Sequence, residues 1–346
     1  MSNLMGMLTT IQSYVWGPPT LLLLIGTGLY FTIKLRGLQI TKFPRAVRII
    51  FEKESGTGSG EGDVSAFATL CTTMAADIGT GSIVGVATAL RIGGPGSLFW
   101  MWISAILGMV TKYSESLLAV KYRVTDENNQ MAGGPMFYIQ NGMGERFIWL
   151  AKIFSVFGIC TALFGCGTFP QVNAITESVN VTFHIPIIVA GVIVTILTAV
   201  VTIGGIKSIS KVAEIVVPIM ALTFLGGSVV ALVINRAAVP DAFKTIFTCA
   251  FAKESVIGGT AGTGVITFMT VMRTGIARGV YTNEAGLGSS PIVAAAAKTN
   301  SGVRQGLLSM TSVFVTTILT CSMTGLVVIS SGLLDKTDLS GSVLVT

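Results

Sequence analysis

Residues 64–90 are apolar enough and long enough to cross a bilayer as one helix, yet they carry their own helix breakers. The stretch reads VSAFATLCTTMAADIGTGSIVGVATAL, with Asp77 at its centre and Gly79-Thr80-Gly81-Ser82 just after it. Unpaired backbone groups are expensive in lipid. A broken membrane helix is therefore tolerated only where protein buries the break or where it lines a cavity. An acid and two glycines at that depth point to a binding site for something small and polar.

The rest of the chain supports a membrane setting. It is 51% hydrophobic and 11% charged, where a soluble domain carries about 25% charged residues. Apolar segments fall at 15–33, 64–90, 97–120, 148–178, 185–205, 212–234, 246–272 and 305–333, which predicts eight spans. If the first connection is cytoplasmic, 17 of the 22 Lys and Arg residues lie on the inside by alternation. That bias predicts a multi-pass protein of the plasma membrane with its N-terminus outside. The basic residues sit between apolar segments and form no stripe. The net charge of +6 thus reads as orientation among lipids, not as nucleic-acid binding.

Enzymatic classes find little support. The five cysteines lie in apolar segments, and the Cys160–Cys166 spacing fits neither a zinc nor a redox motif. A phosphate loop, a nucleophile triad and a metal-ligand cluster are all missing from the sequence pattern. The expectation is a transporter with no cofactor.

A second membrane-length segment also contains glycines and hydroxyls, Gly258-Gly259-Thr260-Ala261-Gly262-Thr263-Gly264. Paired broken helices in corresponding halves mark the binding sites of many transporters. Five spans fill 64–234, and an odd number inverts whatever follows. The predicted organisation is an extra N-terminal span with a linker (1–63), a first five-helix unit (64–234) and a second, inverted unit beginning at 246 and running to 346.

A broken helix exposes N–H groups at one half-helix and C=O groups at the other. A zwitterionic amino acid can satisfy both ends. Asp77, Ile78, Gly79, Thr80, Gly81 and Ser82 form the first candidate cradle, and Gly259, Thr260, Gly262 and Thr263 the second. Asp77 reads either as a partner for the substrate ammonium or the coupling cation, or as an Asx cap on the half-helix that follows. Gly81 and Gly85 also form a GxxxG spacing suited to helix packing. Lys112 and Glu115 sit three residues apart, as in a helical ion pair. Trp100 and Trp102 read as an interfacial belt. Residues 290–297 are too short to span and read as an amphipathic or partly re-entrant element. Asn283 and Glu284 read as an inner gate or as a structural turn.

Several blocks resemble one family. The run Gly93-Gly94-Pro95-Gly96-Ser97-Leu98-Phe99-Trp100-Met101-Trp102-Ile103-Ser104-Ala105-Ile106-Leu107-Gly108 looks like the signature of the sodium:alanine (alanine or glycine:cation) symporters. Gly79–Ala89, Gln171–Ile175 and Gly275–Gly279 running into Thr282–Ser289 resemble the same family. Ser97, Ser82 and Asp77 depart from its usual pattern.

The resemblance implies an all-α integral membrane protein. Its helix bundle would be of the five-plus-five inverted-repeat type, with broken first and sixth core helices plus one extra N-terminal span. By that pattern three further spans would follow Thr346. It implies Na⁺-coupled import of a small neutral amino acid, alanine or glycine, by alternating access. Glutamine, H⁺ coupling, a passive channel and a non-transporting fragment are the alternatives. It also implies pocket roles for Phe169 and Gln171. Asn173 is a further candidate, but at i and i+2 it does not share Gln171's helix face, so at most one of the two points at the substrate unless Pro170 distorts the turn. The coupling Na⁺ is expected near Ala76 and Gly79.

Overall fold

The computed structural model describes residues 2–52, 62–164, 167–252, 254–257 and 264–335. Apolar backbone in lipid must satisfy its own hydrogen bonds, and helices dominate accordingly. The chain opens with α1 (Ser2–Val15) and α2 (Pro18–Lys34). Pro18 and Pro19 start α2, where a missing N–H costs nothing. Two short helices follow, α3 (Leu38–Thr41) and α4 (Phe43–Phe51), and α4 buries Ala46 and Ile49.

The candidate broken span is indeed two helices, α5 (Ala66–Asp77) and α6 (Val84–Gly93). Ser65 caps α5 by accepting from Ala68 N at 3.0 Å. Next come the long α7 (Ser97–Lys121), a two-residue hairpin of β1 (Val124–Thr125) and β2 (Met131–Ala132), and α8 (Pro135–Met143). Then follow α9 (Ile148–Leu163), α10 (Thr168–Phe183), α11 (Ile187–Ile203), α12 (Gly205–Ile234) and α13 (Val239–Phe251).

The predicted seventh span, 246–272, does not form. α13 ends at Phe251, and β3 (Glu254–Ile257) pairs antiparallel with β4 (Gly264–Thr267). β-Branched residues flank a glycine-rich centre there, a pattern that favours strands and a turn over a helix. An apolar helix begins only afterwards, as α14 (Phe268–Asn283). α15 (Ser290–Ala295) is short and buries Ser290, Pro291, Ala294 and Ala295. α16 (Gly302–Val313) continues through a π-helical stretch at Phe314–Cys321 into α17 (Ser322–Ser330). Among the described residues, four stretches are long and apolar enough to cross a membrane: Ser97–Lys121, Glu145–Phe183, Gly205–Ile234 and Gly302–Ser330.

The core is built around α7. Its Leu98, Met101, Ala105 and Val110 are fully buried, and α2, α13, α14, α15 and α16 pack against it. Glycine lets α14 come close. A Cβ on Gly275 would stand 2.3 Å from the Ser97 carbonyl oxygen. Such small-residue contacts drive helix association where lipid offers no hydrophobic gradient.

Trp100 and Trp102 are half-buried ties between helices, not free members of a belt. Trp100 Nε1 donates to Ala250 O (3.1 Å) and Trp102 Nε1 to Ser322 Oγ (2.7 Å). At one end of the bundle the chain before α5 is clasped to the chain after α15. Val64 and Ala297 form a parallel bridge, with Asp63 N donating to Ala296 O (2.9 Å) and Lys298 N to Val64 O (2.8 Å). Arg123, just past α7, donates to the carbonyls of Ala295, Ala297 and Thr299 at 2.7–2.9 Å.

Candidate functional site

The break between α5 and α6 lies inside the bundle. Ile78 and Ser82 are buried, and Gly79, Thr80 and Gly81 are half-buried. Most of its carbonyls are satisfied. Gly79 O accepts from Ser82 N (3.2 Å) and Ser82 Oγ (3.0 Å), and Thr80 O accepts from Gly85 N (2.8 Å). Thr324 Oγ1 on α17 donates to Ser82 O (3.0 Å), and Thr282 Oγ1 on α14 approaches Gly81 O (3.4 Å). The amides differ. Among the described residues, the N–H groups of Gly79, Thr80 and Gly81 meet no acceptor. Successive free amides ahead of a helix form a cradle for an anionic group such as a carboxylate.

Side chains from two other helices close on this cradle. The Gln171 amide on α10 lies so near Gly79 that a Cβ there would sit 3.4 Å from its Nε2. The Tyr281 ring lies 3.5 Å from the equivalent point on Gly81, and the Arg278 guanidinium crowds Gly85. Arg278 and Tyr281 also wall a cleft of about 640 Å³, together with Trp16, Ile92, Thr274 and Ala277.

Phe169 and Asn173, expected beside Gln171, are placed otherwise. Phe169 is 69% exposed and Asn173 is also exposed, so α10 turns only Gln171 of the three inward. Ala76 is exposed at the end of α5, and Gly79 O is already engaged by Ser82. Gly259, Thr260, Gly262 and Thr263 lie outside the described residues.

Asp77 is neither a helix cap nor an open ligand. It ends α5, while the N-cap of α6 is Ile83, which has no side-chain cap bond. Its Oδ2 accepts from Lys112 Nζ at 2.6 Å, and both side chains are fully buried. The expected Lys112–Glu115 pair does not form. Lys112 reaches across to Asp77, and Glu115 Oε2 accepts from Gly286 N (3.0 Å). The exchange has a physical reason. A fully buried ammonium needs a fully buried counter-charge, whereas Glu115 finds a backbone donor near the bundle edge.

Asn283 and Glu284 sit at a second break. α14 stops at Asn283, and Glu284 takes a left-handed conformation (φ 54°). Gly286 and Gly288 follow at φ 86° and 81°, which glycine adopts without steric cost. Asn283 is fully buried. Its carbonyl accepts from Lys112 Nζ (2.8 Å), its Nδ2 donates to Thr317 Oγ1 (3.2 Å), and its Oδ1 accepts from Ala285 N (3.0 Å). Glu284 bonds Ser289. Asn283 thus does meet a lysine, but through its backbone.

Tyr281 and Thr324 are residues at the breaks that the sequence did not single out, Arg278 and Thr282 were noted only within family-like blocks, and Lys112 was given a different partner. One signal was legible. Asp77 and Lys112 are opposite charges within predicted spans, and such charges pair by default.

Comparison with known proteins gives a consistent result. The family described as "Sodium:alanine symporter family" matches residues 1–346. An uncharacterised transporter of Haemophilus influenzae is 51% identical over 335 residues, covering 97% of this chain and 72% of its own. The sodium/alanine symporter AgcS of Methanococcus maripaludis is 44% identical, covering 99% of this chain and 75% of its own. The probable sodium/glutamine symporter GlnT of Bacillus subtilis is 33% identical, covering 95% and 66%. These proteins are transporters, not enzymes. A helical bundle with spans of membrane length, broken beside a buried amide cradle, is in keeping with that. The chain belongs to the sodium:alanine symporter family.

Proposed function

We propose that this protein imports a small neutral amino acid together with Na⁺, by alternating access across a plasma membrane. The observation that carries the reading is the run of three acceptor-free amides at Gly79, Thr80 and Gly81, in the interior of an apolar bundle. A carboxylate matches those donors. Gln171 is placed to bond the same ligand, and Tyr281 to wall it. The cleft beside Arg278 and Tyr281 is the entry path. Na⁺ is cargo and driving force.

Alanine or glycine suits the confined space beside Gly79 and Gly81. AgcS, named for alanine, is 44% identical to this chain, whereas GlnT, named for glutamine, is 33% identical, which favours the same choice. An inverted repeat also fits, with a corrected pairing. α5, 78–83, α6 and α7 correspond to α14, 284–289, α15 and α16–α17. Each unit has a helix, a break, a short helix and a long helix, and the two long helices pack together. The second unit then begins after 246, and the N-terminus lies outside.

Uptake into proteoliposomes tests the reading. An imposed inward Na⁺ gradient is expected to accumulate alanine or glycine, and an equal H⁺ or K⁺ gradient is not. Gln171→Ala is expected to raise KM by roughly tenfold, the effect of losing one good polar contact. No Na⁺-driven accumulation of alanine, glycine or glutamine would falsify the proposal.

A further inference from the structure

Lys112 is the largest side chain among those fully buried in the described residues. It stands on α7 amid the buried Met109, Val110 and Tyr113. An ammonium in such a place is costly unless it is paired and hydrogen-bonded. It makes two bonds, to Asp77 Oδ2 (2.6 Å) and to the Asn283 carbonyl (2.8 Å).

Those two acceptors terminate two different helices. Asp77 is the last residue of α5 and Asn283 the last of α14. Both helices end there because the chain breaks, at 78–83 and at 284–289. A helix C-terminus carries partial negative charge. The α14 end, through its last carbonyl, and the α5 end, through the Asp77 carboxylate, therefore meet at a single ammonium. Without it, two negative features would face one another in a medium that screens poorly. Asp77 depends on Lys112 for compensation, since its Oδ1 has no hydrogen-bond partner. The far end of the link is held as well, because Asn283 Nδ2 is bonded to Thr317 in the π-helical stretch.

We infer that Lys112 is a positioning residue, a resident cation that holds the carbonyl ends of the two broken helices together and thereby sets the shape of the Gly79–Gly81 cradle. Asp77 is then the counter-ion of Lys112 and not a ligand for the substrate ammonium or for Na⁺. The inference rests on the cradle being the substrate site. Its structural half, the joint fixing of both breaks, can be read without any transport.

The test compares Lys112→Arg and the paired Asp77→Asn/Lys112→Met variant with the unmodified full-length protein. Melting in detergent, exchange of the hydrogen-bonded amides in 78–83 (Ile78 and Ser82) and in 284–289 (residues 284–287), and the KM and Vmax of alanine uptake are measured. The paired variant carries no buried charge and is expected to melt like the unmodified protein. Its exchange is expected to rise by roughly tenfold in both segments, and its KM by roughly tenfold at little-changed Vmax. Lys112→Arg keeps the charge and offers two donors, so both segments are expected to stay protected. Exchange that rises at 78–83 alone makes Lys112 a mere counter-ion and overturns the inference. So does a paired variant with unchanged exchange or unchanged KM. So does a folded arginine variant as loose as the paired one, which also decides the matter if the paired variant fails to fold. If the unmodified protein takes up no amino acid, the functional reading fails alone, and exchange still decides the role of Lys112.

Discussion

α7 and α12 are both long enough to cross a membrane, yet they are used in opposite ways. α7 has a mean hydropathy of 1.2 and is 61% buried over its most apolar stretch, whereas α12 has 2.3 and is 6% buried. The less apolar helix is the inner one. α7 buries Ser97, Ser104, Thr111, Lys112 and Ser116 against its neighbours. α12 exposes Ile215, Ile219, Leu222 and Val230 and is joined to α5 along one side, where Thr72 Oγ1 donates to Ser210 Oγ (2.9 Å). In water the apolar residue goes inside. Here polar and small residues mark the inside, because only protein can satisfy them. The candidate site lies among the polar stretches of these buried helices.

That contrast can be broken most forcefully at Lys112. Lys112→Met leaves Asp77 buried and uncompensated, and is expected to cost about 3–5 kcal/mol. Denaturant unfolding in lipid measures this, and a loss below about 1 kcal/mol would mean that the inner helix is no more demanding than the outer one. Gly275→Val comes next. Its Cβ would collide with the Ser97 carbonyl oxygen, a backbone atom that cannot step aside, so α14 must move off α7. The expected cost is about 1–3 kcal/mol, with a lower melting temperature. The smallest effect belongs to the outer group. Ile196 on α11 is 58% exposed, and Ile196→Val is expected to stay within about 0.5 kcal/mol of the unmodified protein. A larger loss there would show that this face is packed against something as closely as α7 is.

The first break was legible because its signal was local. Asp77, Gly79 and Gly81 interrupt an apolar run, and α5 and α6 end and begin around them. The second break was looked for at 258–264, where glycines are dense. Residues 290–297 were set aside as too short to span. A half-helix is always too short to span, so the length filter removed the feature sought. α15, with six residues, is such a case. Lys112 was assigned to Glu115 for a related reason, since spacing along one helix was weighed before the match of two opposite charges in different spans, 35 residues apart. The 17 charges assigned to the inside included Lys112, although it falls within the predicted span 97–120 and is buried within α7. Phe169 was grouped with Gln171 by resemblance, and its exposure separates them, whereas the split between Gln171 and Asn173 follows from their i, i+2 spacing on α10.

The clasp at the foot of α5 has a mechanical consequence. Arg123 grips three carbonyls beyond α15, and the Val64–Ala297 bridge ties the same strand of chain to the start of α5. Neither half-helix can swing away by stretching one bond at a time, since all of them share the short segment 295–299. Separation there has to release several hydrogen bonds held by one short segment. Any movement of α5 away from α15 at that end therefore has to carry the 295–299 segment with it or strip it of these partners together.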